Sequence, residues 1–336
     1  MMSSRLLAVL LGAALVVGSG YDVYGAKPGK GAKGKAAEAA KGAVPAIDWT
    51  KAEEVRPGVR LEKLELSEPQ LMKVYVMRID LKIKGLKVTG TERDSRWGEP
   101  MPDYVRKGSM PEKCVIRTRR EKTVDFINRL RRPKEEGGRG LDVIAAWNSG
   151  PWHPWPPPQG NEYADPMFLS VSDGVEIGDN SDPALNAVFA IDGKMKPQVL
   201  ESVSKPTRKD MLVAHSGFGI LMKKGKRLEF HPRSYEGALM PRTAVGYSKD
   251  FRYLFVVSID GRKPGWSDGA RGNEVCDILE AAGAWEAIDF DGGGSQTLCY
   301  VDEKTGEPVT ICRSENRAVG MNMAVYIENK PSKTRK

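Results

Sequence analysis

The run Ala287-Ile288-Asp289-Phe290-Asp291-Gly292-Gly293-Gly294-Ser295 puts two acids, three glycines and a hydroxyl at the end of a short apolar stretch. Successive glycines weaken strand pairing and cost entropy, so a run of three signals a backbone that something must approach. Main-chain N–H groups left bare in this way form a nest suited to an anion such as a phosphate. A tight turn with unusual φ/ψ demands is the competing reading. Upstream, the apolar stretch Leu254-Phe255-Val256-Val257 runs out into Asp260-Gly261-Arg262. Asp260, Asp291, Arg262, Gly292, Gly293, Gly294 and Ser295 are therefore the first candidates for a site.

The elements between them are expected to place these residues on one rim. Four successive apolar residues read as a strand buried on both faces. Val275, Ile278, Leu279 and Ala282 recur at helical spacing within Asn273–Ala282, and Gly283 suits the helix end. A strand over Trp285–Phe290 follows. The β-loop-α-β order predicts two parallel strands joined by a right-handed crossover. Asp260 and Asp291 would then stand at the carboxyl edge of one sheet, where open α/β sheets collect ligands. Helix caps or solvated turn residues are the alternative for two such acids. The expected fold class is α/β: one large domain with a mixed central sheet flanked by helices, containing a parallel βαβ unit near 253–291. A further helix is expected over Thr118–Arg131, capped by Thr118 with Glu121 three residues on.

The rest of the chain sets limits. Arg5, the apolar run Leu6–Val17 and the small residues around Val23 and Gly25 read as an export signal over 1–25. That run is shorter than the roughly 20 residues a membrane span needs, so no span is expected after cleavage. Residues 26–45 read as a basic Lys/Gly/Ala-rich linker, 46–330 as the domain and 331–336 as a basic tail. Residues 26–45 carry +4 and Lys330–Lys336 another +4, together the formal +8, which leaves the domain near neutral and gives no nucleic-acid-binding face. Such a chain is expected in the periplasm, at the cell envelope or secreted. Four cysteines in an exported chain suggest disulfides, with Cys299 placed opposite Cys312 across a hairpin; spacing leaves open whether Cys114 and Cys276 pair or Cys276 is a small core residue. His153, His215 and His231 show no zinc-ligand spacing. There is no GxSxG elbow, and GGGS lacks the lysine of a P-loop.

Five segments in order carry a resemblance. They are Ser216–Leu221, Pro241-Arg242-Thr243-Ala244-Val245-Gly246, the strand from Phe255 ending in Asp260-Gly261-Arg262, Asp289–Ser295, and Asn316–Asn322. Over about residues 60–328 the chain resembles the phosphodiester glycosidase domain family. The segment Asn148-Ser149-Gly150-Pro151-Trp152 departs from that family's usual Asn-Gly-Gly-Phe-Phe. A different sugar, or a site that binds phosphate-bearing glycan without turnover, is the alternative this departure raises.

The resemblance implies hydrolysis of the glycosidic bond of a sugar-1-phosphodiester. Phosphate leaves readily, so such a site needs one acid or base at the anomeric carbon and donors around the phosphate. On this basis Asp291 or Asp260 is the expected base or nucleophile, and Arg242 the residue holding phosphate through its planar fork. The N–H groups of Gly292–Gly294 and the Ser295 hydroxyl would complete the cradle. Asn148 would bond sugar hydroxyls, with Thr243 and Arg262 also on the substrate and Trp152 or Trp155 stacking on a sugar face. Asp289, alternating with Asp291, would face the other way and brace Arg242 or a loop. No cofactor is implied; a divalent cation on Asp260, Asp289 or Asp291 is left open.

Overall fold

The computed structural model describes residues 44–106, 114–178, 187–201, 211–228, 237–313 and 315–328. The expected signal (1–25), nearly all of the linker (26–45), the tail (331–336) and His231 lie outside the described residues.

Strand, not alternation of strand and helix, dominates the fold. An eight-stranded sheet runs in the order Glu53–Arg56, Val59–Leu66, Met72–Asp80, Tyr253–Ile259, Arg242–Tyr247, Glu286–Asp289, Gly219–Lys223, Lys226–Arg227. A five-stranded sheet carries Pro308–Thr310, Leu298–Val301, Asp142–Asn148, Asn322–Ile327 and Leu86–Gly90. A second five-stranded sheet holds Val175–Gly178, Ser170–Ser172, Met211–Gly217, Ala187–Asp192 and Pro197–Glu201. A small sheet joins Thr118–Arg119, Tyr163–Pro166 and Trp152–His153. The α-helices among the described residues are Asp103–Arg106, Thr123–Arg131 and Gly272–Ala282.

The expected α/β class with its parallel βαβ unit is overturned. Both strands and the helix exist, yet the Arg242–Tyr247 strand lies between the two strands and pairs antiparallel with each. An uninterrupted apolar strand signals only that both faces are covered, and an antiparallel strand between two layers meets that condition equally well. Leu254 and Val256 enter a core shared with Ile144, Trp147, Phe189 and Val325 of the five-stranded sheets. Phe255, Val257 and Ile259 point the other way, against Val275, Ile278 and Leu279 of the helix. Each such buried side chain contributes about 1.5–3 kcal/mol.

The inserted strand also explains why the two acids still share an edge. Two strands each antiparallel to the one between them run in the same direction. Ile259 pairs with Arg242, and Asp289 with Ala244 two residues on. The chain therefore leaves both strands, toward Asp260 and toward Asp291, on the side where Arg242 enters. Gly217 permits the neighbouring contact, since a methyl there would overlap the Asp289 carbonyl oxygen.

Two local expectations are also corrected. The helix begins at Thr123, because Thr118–Arg119 pairs as a strand with Tyr163–Pro166 and the Thr118 hydroxyl donates to Gly320 O at 2.9 Å. No disulfide forms: Cys299 stands opposite Thr310 in register, with its Sγ 3.3 Å from the Thr310 hydroxyl, while Cys312 Sγ accepts from Leu298 N.

Candidate active site

The glycine run leaves the Glu286–Asp289 strand as a turn laced to its neighbours. Phe290 N–H donates to Thr243 O at 2.8 Å, Asp291 N–H to Ser149 O at 2.9 Å and Gly293 N–H to Pro241 O at 2.9 Å. Gly293 has φ of +58°, a left-handed conformation that favours glycine, and opens a 3-10 turn to Ser295. A methyl on Gly294 would overlap the Arg317 guanidinium and the Glu315 carboxylate. One on Gly293 would lie 3.2 Å from Arg262 Nη1. The missing side chains thus make room for two guanidinium groups directly against the backbone.

Asp291 keeps an edge to solvent while its carboxyl is packed among protein atoms. That desolvation pushes it up to about 6, against the opposing pull of the Ser295 hydroxyl, Arg317 and the Gly292 N–H. The Ser295 hydroxyl is itself buried and, among the described residues, makes no hydrogen bond of good geometry.

Asp260 is different in kind. It is fully buried and accepts from Arg313 N at 2.8 Å, Trp266 Nε1 at 3.0 Å, Tyr75 Oη at 3.3 Å and Gln296 Nε2 at 3.4 Å. Four donors around one carboxylate make it a tie between the Met72–Asp80 strand, its own loop and the residue following the glycine turn.

Arg242 is also wholly buried. It pairs with Asp289 at 2.8 Å, donates through Nε to Ala270 O at 2.9 Å, and reaches Ala238 O through Nη2. Asn148 is buried as well. Its Nδ2 donates to Asp291 O at 2.5 Å, and its Oδ1 accepts from the Thr243 hydroxyl at 2.8 Å and Thr297 N–H at 2.9 Å.

The expected site residues therefore fall into two layers. Asp291, Gly292, Gly293, Gly294, Ser295 and Arg262 gather around the turn. Asp260, Arg242, Asn148 and Thr243 lie beneath it, their polar atoms directed at other parts of the protein. The guanidinium that sequence reasoning passed over is Arg317, which bonds Glu315 at 2.8 Å and stacks on exposed Trp155 with Cζ 4.8 Å from the ring centre. Trp155 meets Trp152 edge-on at 5.9 Å, and Arg120 covers Trp152 at 4.7 Å. Arg317 belongs to the Asn316–Asn322 segment, and its residue type alone does not set it apart from the other arginines of the chain.

His215 is fully buried, with Nδ1 2.7 Å from the Ser149 hydroxyl, and burial pushes it down to about 3, so it stays neutral beneath the turn. Among the described residues no group of three His, Cys, Asp or Glu side chains could hold a metal ion. Asp260 and Asp289 already spend carboxylate oxygens on N–H and O–H donors.

A raised carboxyl thus lies beside a glycine turn with two arginines packed against it, at the edge of an antiparallel sheet. The chain belongs to the phosphodiester glycosidase family, which it matches over residues 144–326. Among solved structures it is similar to the catalytic domain of zebrafish N-acetylglucosamine-1-phosphodiester alpha-N-acetylglucosaminidase, auto-inhibited by its pro-peptide. That likeness has 17% identity and a TM-score of 0.51, over 85% of this chain and 87% of the other. A hypothetical protein from Synechocystis is similar with 10% identity and a TM-score of 0.51, over 83% of this chain and 65% of that one. At these identities the likeness is one of fold. No curated protein matches.

Proposed function

We propose that this chain is an exported phosphodiester glycosidase that hydrolyses the glycosidic bond of a sugar-1-phosphodiester. One observation carries the reading: the raised carboxyl of Asp291 lies next to a bare-backbone turn against which Arg317 and Arg262 are packed. The phosphate would take the Gly294 N–H, the Ser295 hydroxyl and the two guanidiniums, displacing Glu315 from Arg317, while Gly293 N–H stays on Pro241 O. Phosphate-holding thus passes from Arg242 to Arg262 and Arg317. Asp291, ionised, would act at the anomeric carbon, as base toward water or as nucleophile. In the net reaction the C1–O bond breaks, water oxygen joins C1, and the phosphomonoester departs with the electron pair. Asp260, Arg242, Asn148 and Thr243 hold the turn in shape, and Trp155 offers an exposed ring to a sugar face. Export rests on the amino-terminal charge and hydropathy pattern.

The test is a panel of sugar-1-phosphodiesters, headed by an α-linked N-acetylglucosamine diester because the zebrafish relative is named for that substrate. Free sugar and phosphomonoester should appear together, and Asp291→Asn should abolish both. Wild-type turnover by Asp291→Asn would overturn the assignment.

A further inference from the structure

Beside the site, on the far side of Arg120, lies a cavity of about 310 Å³. Small-molecule pockets begin at roughly 300 Å³, so it is large enough to hold a ligand group. Four arginines line it: Arg93, Arg119, Arg120 and Arg129. The acids on its wall are mostly spoken for. Glu121 takes Arg129, Glu92 takes Arg129 and Arg139, and Asp94 accepts the Arg96 backbone N–H in a turn. Arg119 faces outward to Glu162.

Arg93 and Arg120 are left over. Among the described residues neither meets a carboxylate within ion-pair distance. Arg93 donates to Glu176 O and lies over Trp97 at 3.8 Å. Arg120 donates only to the carbonyls of Asn161 and Ala318 while covering Trp152. It is half-buried, and desolvation together with repulsion from Arg317 holds it below the usual guanidinium range. The repulsion between Arg120 and Arg317 costs free energy that a bound anion would offset.

These groups form a continuous track. Arg317 on Trp155 stands at the glycine turn, Trp155 meets Trp152, Arg120 covers Trp152, and the cavity carries on from Arg120 to Arg93 on Trp97. Arg317, Arg120 and Arg93 spaced along this path suit a chain of sugars carrying anionic groups, the guanidiniums taking the charges and exposed Trp155 a sugar face. We infer that the Arg93–Arg120 cavity is a second anion subsite, and that the substrate is an extended anionic glycan whose next charged group binds there. The inference rests on the phosphodiester glycosidase reading for the chemistry at Asp291, and on the cavity alone for the second subsite.

Two probes test it: methyl α-N-acetylglucosamine 1-phosphate and a synthetic hexamer of α-N-acetylglucosamine joined through 1-phosphodiesters. Affinities are measured by calorimetry in an Asp291→Asn background, where the hexamer stays intact, with turnover followed separately in the wild type. The hexamer should bind at least tenfold more tightly than the single diester. Arg93→Gln, an exposed change that leaves the core alone, should shrink that ratio about tenfold, and Arg120→Lys should shrink it too by removing the planar fork. Equal affinity for the two probes, no hexamer binding, or an unchanged ratio in both variants overturns the subsite. If the ratio falls as expected but the wild type cleaves neither probe, the second subsite stands and the glycosidase reading fails.

Discussion

Replacing Asp291 by Asn should stabilise the protein while stopping the reaction. Burial makes the folded state hold the Asp291 proton more tightly than the unfolded chain does, near 6 against an ordinary 3.8. Wild-type stability from this group is therefore complete below about pH 3.8 and declines as pH rises to about 6, levelling off above. Ionisation in place costs about 3 kcal/mol at pH 7.5 and about 1 kcal/mol at pH 4.5, by linkage between those two values. Asn cannot ionise, so Asp291→Asn should gain stability by that pH-dependent amount. Thermal melts followed by circular dichroism would show a Tm gain of about 6 °C at pH 7.5 and about 2 °C at pH 4.5, taking about 2 °C per kcal/mol for a chain of this size. Turnover would fall below detection in the same samples. In the wild type, kcat/KM should drop about tenfold per pH unit below about 6, because the ionised form is the reactive one. A variant less stable than wild type at pH 7.5, or a Tm difference flat with pH, would show that the carboxyl is not desolvated and would remove the physical basis for its role.

Glu315→Gln should lower KM about two- to five-fold, because it frees Arg317 from an exposed pair worth about 0.5–1 kcal/mol; steady-state kinetics on the single diester would show it. Gly294→Ala should fold with near-native circular dichroism yet raise KM at least about tenfold, since the new methyl takes the space of the Arg317 guanidinium beside the anion nest. Arg242→Met should cost about 3–5 kcal/mol in urea unfolding by removing the buried guanidinium that pairs with Asp289, and adding Asp289→Asn should recover part of it.

Much of the site could be read along the chain because its informative residues are local in sequence. Three glycines in a row demand a bare backbone wherever they occur, and an apolar run ending in an acid puts that acid at an edge. The uninterrupted apolar run Leu254–Val257 and the helical stripe of Val275, Ile278, Leu279 and Ala282 fixed which faces would be covered. Pairing was another matter. Nothing in residues 253–291 says that Arg242–Tyr247 slips between the two strands, because that partner is chosen by which surfaces remain to be buried.

The same distinction sorts the charged groups. Sequence supplied Asp260, Asp291, Arg242 and Arg262 as equals, since residue type and order are alike for a buried tie and a reacting group. Only packing separated them: Asp260 and Arg242 are enclosed by donors and acceptors of the protein's own, while Asp291 is stripped of water at the surface. Only packing, too, brought Arg317, 23 residues further along the sequence, to lie on Gly294. Local backbone demands are written in adjacent residues, but solvation, which decides what a carboxyl or guanidinium can do, is set by neighbours distant in the chain.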